Sequence, residues 1–148
     1  MATRPDLNLP PTAPVERYRD EPMELHPVAV YTLADLSDAE LEELRRVCES
    51  ECTDSEPGDS VRLAPQPRFV DRPLRAVYDA HIELAPLRSF DPIYFIVAID
   101  ADWRQKGVLL VALDDGNFDE PGCKTDSFVL KPENAGLAVI KLQLGNSD

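Results

Sequence analysis

The sequence predicts an α/β (α+β) domain, a mixed or mainly antiparallel sheet of four to five strands with two helices, preceded by a flexible proline-rich N-terminal arm. Three observations carry this. The runs IYFIVAI (93–99) and VLLVAL (108–113) are almost uniformly apolar, as strands are when both faces of their sheet are covered. Two other segments repeat apolar residues at three- and four-residue intervals, the mark of helices with one buried stripe. Six of the fourteen prolines fall within residues 1–27, where each removes a backbone donor and fixes φ, so an extended arm is expected there. The organisation read from this is an arm over 1–27 and a single compact domain over 28–148.

Taken in order, VAVYTL (28–33) is short, apolar and rich in β-favouring residues, hence a first strand. In LSDAELEELRRVCESEC (36–52), Ser37 followed by Glu40 has the spacing of a capping box, so a helix starts there. Its stripe is Leu41, Leu44, Val47, Cys48 and Cys52. Pro57-Gly58 breaks the chain before 61–70, a short edge strand in which Pro65 and Pro67 prevent continuous laddering. A second helix starts near Asp71 and Pro73, with Leu74, Val77, Tyr78, His81 and Leu84 or Ala85 as its buried side, and Pro86 limits it. Both helices are expected mainly on one face of the sheet.

Only eight residues, 100–107, separate the two strongest strands. A parallel crossover needs a dozen or more, so these strands form an antiparallel hairpin. SFVL (127–130) reads as a short strand, and GLAVIKLQL (136–144) as a closing strand with Ile140, Leu142 and Leu144 on one face. A homodimer built by pairing this last strand across a symmetry axis is compatible with the pattern. The final residues resemble a strand end leading to a helix cap at Asn146 or Ser147.

The net charge of −13, from 28 acidic and 15 basic residues, opposes nucleic acid, whose binding depends on cationic side chains releasing counterions. It likewise opposes anionic membranes and favours a protein partner of basic character. No apolar run reaches the roughly 18 residues of a membrane span. Three cysteines, an odd number, and an N-terminus without an apolar leader suggest a cytoplasmic setting. With no G-x-S-x-G elbow, phosphate-cradling loop or dinucleotide fingerprint, no cofactor is expected.

Two acidic groups adjoin the hairpin. Asp100 and Asp102 fall at its turn and Asp114 and Asp115 at its opposite end, about 20 Å away at roughly 3.3 Å per strand residue, so the four cannot share a ligand. The run DDGNFDEPG (114–122) lacks calcium-loop spacing, and two carboxylates at the turn are few for a hard cation, so no metal is expected. Cys48 and Cys52, at i and i+4, offer two zinc ligands without a second pair. The partner-binding candidates are Pro11 and Pro14, within the P-P-T-A-P run that reads as a ligand for a partner's groove, and the exposed Asp114, Asp115, Asp119 and Glu120. An enzymatic alternative places His81 and Tyr78 in a pocket between sheet and helix, with Asp100 or Asp102 as acid or base.

The strand followed by an SDAxLExL-like helix, the apolar strand into Ala101-Asp102, the second ending at Leu113-Asp114, and the closing strand into Gly145-Asn146 resemble an uncharacterised family of small α/β domains of actinobacteria and filamentous fungi. The resemblance spans roughly residues 28–148 and implies a fold without an activity. From the acidic balance, the function expected is that of a non-enzymatic acidic adaptor or regulatory protein. The alternative is a small cofactor-free isomerase or cyclase.

Overall fold

A computed structural model describes residues 9, 12–13, 27–50, 61–70, 72–84, 90, 93–113 and 123–143. In chain order its elements are β1 (Thr12–Ala13), β2 (Val28–Thr32), α1 (Asp38–Glu49), β3 (Val61–Arg68), α2 (Leu74–Leu84), β4 (Tyr94–Ala98), α3 (Trp103–Lys106), β5 (Val108–Ala112), β6 (Cys123–Lys124), β7 (Asp126–Leu130) and α4 (Pro132–Gln143). Five strands form one mixed sheet in the order β3-β2-β4-β5-β7. The three at one side are parallel, whereas β5 is antiparallel to both β4 and β7. Within the arm, β1 pairs antiparallel with β6 as a separate two-stranded ribbon, and Leu9 packs against the main core.

The predicted hairpin is present, with Tyr94 opposite Ala112 and Val97 opposite Leu109. The edge strand with two prolines is also present. Between Val30 and Thr32 of β2 its register jumps from Leu63 to Arg68, so Pro65 and Pro67 sit where the ladder is interrupted and their missing N–H groups cost no ladder bond.

Side chains of the central strands alternate between two apolar layers. Ala29, Tyr31, Phe95, Val97, Leu109 and Val111 face Leu74, Val77 and Tyr78 of α2. Val28, Val30, Ile96, Ala98, Val108 and Leu110 face Leu41, Leu44 and Cys48 of α1, with Ala135 and Val139 of α4. The helices therefore cover both faces, where one was expected. The reason is topological. The chain steps outward from β2 to β3 and then back across β2 to β4, so crossovers of one hand must pass on opposite sides of the sheet.

Of the segment 136–144, read as a closing strand, Leu144 lies outside the described residues and residues 136–143 belong instead to α4, and the dimer by strand pairing there falls with it. Its buried residues, Ala135 and Val139, and the half-buried Ala138 recur at helical spacing, and Pro132 occupies the first turn, where a missing N–H is tolerated. As a helix the segment adds Ala135 and Val139 to the apolar layer that α1 and Trp103 also line, and that burial outweighs the short alternation at the end of the segment.

Helix α1 begins as predicted. The Glu40 N–H donates to Ser37 Oγ at 3.2 Å and the Leu41 N–H to the Ser37 carbonyl at 2.9 Å. At the other end of the hairpin loop, Gly107 has φ of 89°, a conformation close to exclusive to glycine. A Cβ there would lie 2.7 Å from the Leu130 carbonyl oxygen and 3.1 Å from Val129 Cγ1. Gly107→Ala is expected to destabilise the fold by about 2 kcal/mol, measured by urea unfolding, and an unchanged midpoint would refute this reading of the loop.

Candidate functional site

The α2 face holds the histidine. His81 is 0% exposed, on the buried stripe of α2. Its Nδ1 lies 2.8 Å from the Tyr31 hydroxyl, and its ring is 4.7 Å from that of Phe95. Tyr31 is reached because odd-numbered β2 residues point to this side, and its ring meets Phe69 and Phe95 edge-on as well. Burial pushes the Tyr31 phenol well above its ordinary range near 10. The pair is thus a polar contact sealed within an apolar layer. Tyr78, also buried, carries the Arg75 guanidinium 5.3 Å from its ring centre.

The carboxyl ends of β2 and β4 form the place where, in open α/β sheets, strand order reverses and ligands bind. Here the strand ends are stitched together. The Leu33 N–H donates to the Ala98 carbonyl at 2.8 Å, Thr32 Oγ1 donates to the same oxygen at 3.2 Å, and the Phe69 N–H donates to the Thr32 carbonyl at 2.8 Å. Asp100 follows. Its carboxylate accepts from the Asp102 N–H at 2.8 Å and lies 3.0 Å from Lys106 Nζ, and these two donors hold it below the usual carboxylate range. Asp102 is exposed at the start of α3. The next residue, Trp103, is 0% exposed in the α1 and α4 layer, and its Nε1 has no hydrogen-bond partner among the described residues. Arg104 stacks 4.4 Å from the Trp103 ring centre and reaches Glu43 of α1 at 3.4 Å.

The four residues of the enzymatic alternative therefore fall into two groups. His81 and Tyr78 are enclosed under α2, and Asp100 and Asp102 lie beyond the end of β4, engaged in the hairpin turn or facing solvent. Pro11, Pro14, Asp114, Asp115, Asp119 and Glu120 lie outside the described residues, as does Cys52. Cys48 is buried against the sheet. Among the described residues, no group of three or more His, Cys, Asp or Glu side chains is placed to hold a metal ion, and no helix is long and apolar enough to cross a membrane. No family model, curated protein or solved structure matches the chain.

The distribution of charge is more distinctive. Among the described residues twelve acidic side chains are nearly matched by eleven basic ones. Within the body the charges pair, as in Arg45 with Glu42 and Glu49, Arg75 with Asp79, and Lys106 with Asp100. The segments 51–60 and 114–122 each contain four carboxylates and no cation. Described residues that flank them lie at one end of the sheet. The first joins the end of α1 to Val61, which pairs with Val28 and whose N–H donates to Glu49 Oε1 at 3.2 Å. The second follows Leu113, whose N–H donates to the Ile93 carbonyl at 2.8 Å beside the start of β4. This end is opposite to the one bearing Asp100, Asp102 and Trp103.

Sequence reasoning passed over Tyr31, because an aromatic residue inside an apolar strand gives no sign of a polar partner fifty positions away. It also passed over Phe128 and Val129, the large hydrophobics left exposed among the described residues, at 46% and 61%. Their signal was present in the short run SFVL, which lacks a guarding charge at its centre.

Proposed function

We propose that the chain is a non-enzymatic, acidic partner-binding protein, an adaptor or regulator working in the cytoplasm, that engages a basic protein through the sheet end where residues flanking its two carboxylate-rich segments lie. The observation that carries this reading is the separation of charge. Eight carboxylates with no cation among them, concentrated in two short segments whose flanking residues lie at one end of the sheet, focus a field in a way that evenly spread solubilising charge does not. The resemblance to the small α/β domains of actinobacteria and filamentous fungi belongs to the same proposal and contributes a shape. The enclosure of His81 and the pairing of Asp100 with Lys106 weigh against the isomerase or cyclase alternative, which needs an acid or base within reach of a substrate.

The test is a comparison of the native chain with a variant whose eight carboxylates in 51–60 and 114–122 are changed to the corresponding amides. The native chain should retain one stoichiometric basic protein from its own cell extract, in a salt-sensitive manner, and the folded variant should lose it. Retention that is indifferent to the amide changes would overturn the proposal. So would catalytic turnover by the purified chain that His81→Ala abolishes without unfolding.

A further inference from the structure

We propose that the arm carries a ligand for a polyproline-reading groove, one lined by aromatic side chains on a partner protein, and that the pairing of β1 with β6 withholds this ligand until the groove competes for it. The inference goes beyond the charge reading and does not rest on it. Pro11, Thr12, Ala13 and Pro14 make a P-x-x-P run with Pro10 directly before it. Three prolines within five residues bias the backbone to the left-handed polyproline helix. Aromatic grooves bind that helix because it is preformed and has little entropy left to lose. The two residues between the prolines are the ones that form β1, with Thr12 opposite Lys124 and Ala13 opposite Cys123. A groove that takes Pro11 and Pro14 takes the dipeptide between them, so the ribbon and the groove exclude one another.

The clasp is weak by construction. In an antiparallel pair only every second residue exchanges both backbone hydrogen bonds with its partner, so a two-residue strand holds one such exchange. Pro11 and Pro14 have no N–H with which to extend it in either direction. The ribbon also stands apart from the five-stranded sheet, and a two-stranded ribbon alone is marginal in water. Leu9 adds a second hold, partly buried against the apolar layer that α2 covers. Release needs little rotation, since strand and polyproline backbone share a ψ of about 140° and differ chiefly in φ. The same prolines therefore make the ligand and limit its lock.

The probes are a panel of polyproline-reading domains of the SH3, WW and EVH1 classes, each titrated by calorimetry with a synthetic peptide of residues 8–16 and with the full chain. At least one domain should bind the peptide, and Pro11→Ala combined with Pro14→Ala should abolish that binding. The same domain should bind the full chain roughly tenfold more weakly, because apparent affinity falls by the fraction of chains whose arm is released. Leu9→Ser removes the apolar hold while leaving the motif and β6 intact, and should bring the full chain's affinity toward that of the peptide. So should whichever of Cys123→Pro and Lys124→Pro takes away the N–H that the ribbon uses, which keeps the test open should the Leu9 variant fold poorly. With the domain at saturation, that β6 amide should exchange its hydrogen faster than in the free chain. Failure of every domain to bind the free peptide overturns the groove, and equal affinity for peptide and full chain overturns the clasp. Binding to the full chain that survives Pro11→Ala with Pro14→Ala places the contact elsewhere and overturns both. The eight amide changes in 51–60 and 114–122 should leave the domain's affinity unchanged, so this inference and the charge reading fail separately.

Discussion

Trp103→Ala is expected to lower the unfolding free energy by about 4 kcal/mol, the range found when a large buried aromatic is truncated and the site collapses only in part. The side chain is wholly buried in the layer shared with α1 and α4, directly behind the turn that carries Asp100 and Asp102. Its unpartnered Nε1 gives the prediction a second arm. A buried donor without an acceptor costs about 1–3 kcal/mol, so Trp103→Phe sheds that penalty while giving up part of the burial, and should cost much less than Trp103→Ala. Arg104→Ala removes an exposed stacking cation and its solvent-facing pair with Glu43 and should change stability by less than about 1 kcal/mol. Urea titrations followed by circular dichroism suit all three variants, because Trp103 is the sole tryptophan and its replacement removes the fluorescence signal. A Trp103→Ala midpoint equal to that of the parent would mean the ring is not a core element.

The second large effect concerns Tyr31. At neutral pH, Tyr31→Phe deletes the hydroxyl that meets His81 Nδ1 and leaves a buried nitrogen short of one partner, for an expected loss of about 1–3 kcal/mol. The pH dependence has a definite sign. Burial raises the phenol's pKa in the folded chain above the ordinary 10.0, so the folded state holds its proton after the unfolded chain has released it. The unfolded state then binds fewer protons, and stability falls as pH climbs. The contribution is fully present below pH 10 and declines above it by up to about 1.4 kcal/mol per pH unit. Unfolding measured from about pH 9 to pH 11 should therefore fall less steeply in Tyr31→Phe than in the parent. Parallel slopes would show that Tyr31 does not titrate from a buried position.

The elements most legible in the sequence were those whose pattern is local. Ser37 with Glu40 marked the start of α1, the spacing of Leu74, Val77, Tyr78 and His81 marked α2, and the brief link between two apolar runs required a hairpin. The prolines of β3 limited it to an edge. The segment of α4 misled, because Ile140 to Leu144 alternates over too few residues for a period of two to be separated from the helical period that Ala135 and Val139 obey. For the site, His81 was legible as a core residue of an apolar stripe, whereas its contact with Tyr31 was not, since the two meet only through the packing of α2 across β2.

By itself, the sequence determined the strand runs, the first two helices and their buried stripes, the charge-poor apolar centre of β7, and the acidic excess. These follow from periodicity and composition, which act within a few residues. The tertiary structure decided that helices cover both faces, that residues 132–143 coil instead of extending, that β7 is an outer strand among the described residues, and that residues flanking the two carboxylate-rich segments lie at one end of the sheet. Each of these depends on strand order and on which apolar layer remains uncovered, quantities set by burial between distant parts of the chain and carried by no local pattern.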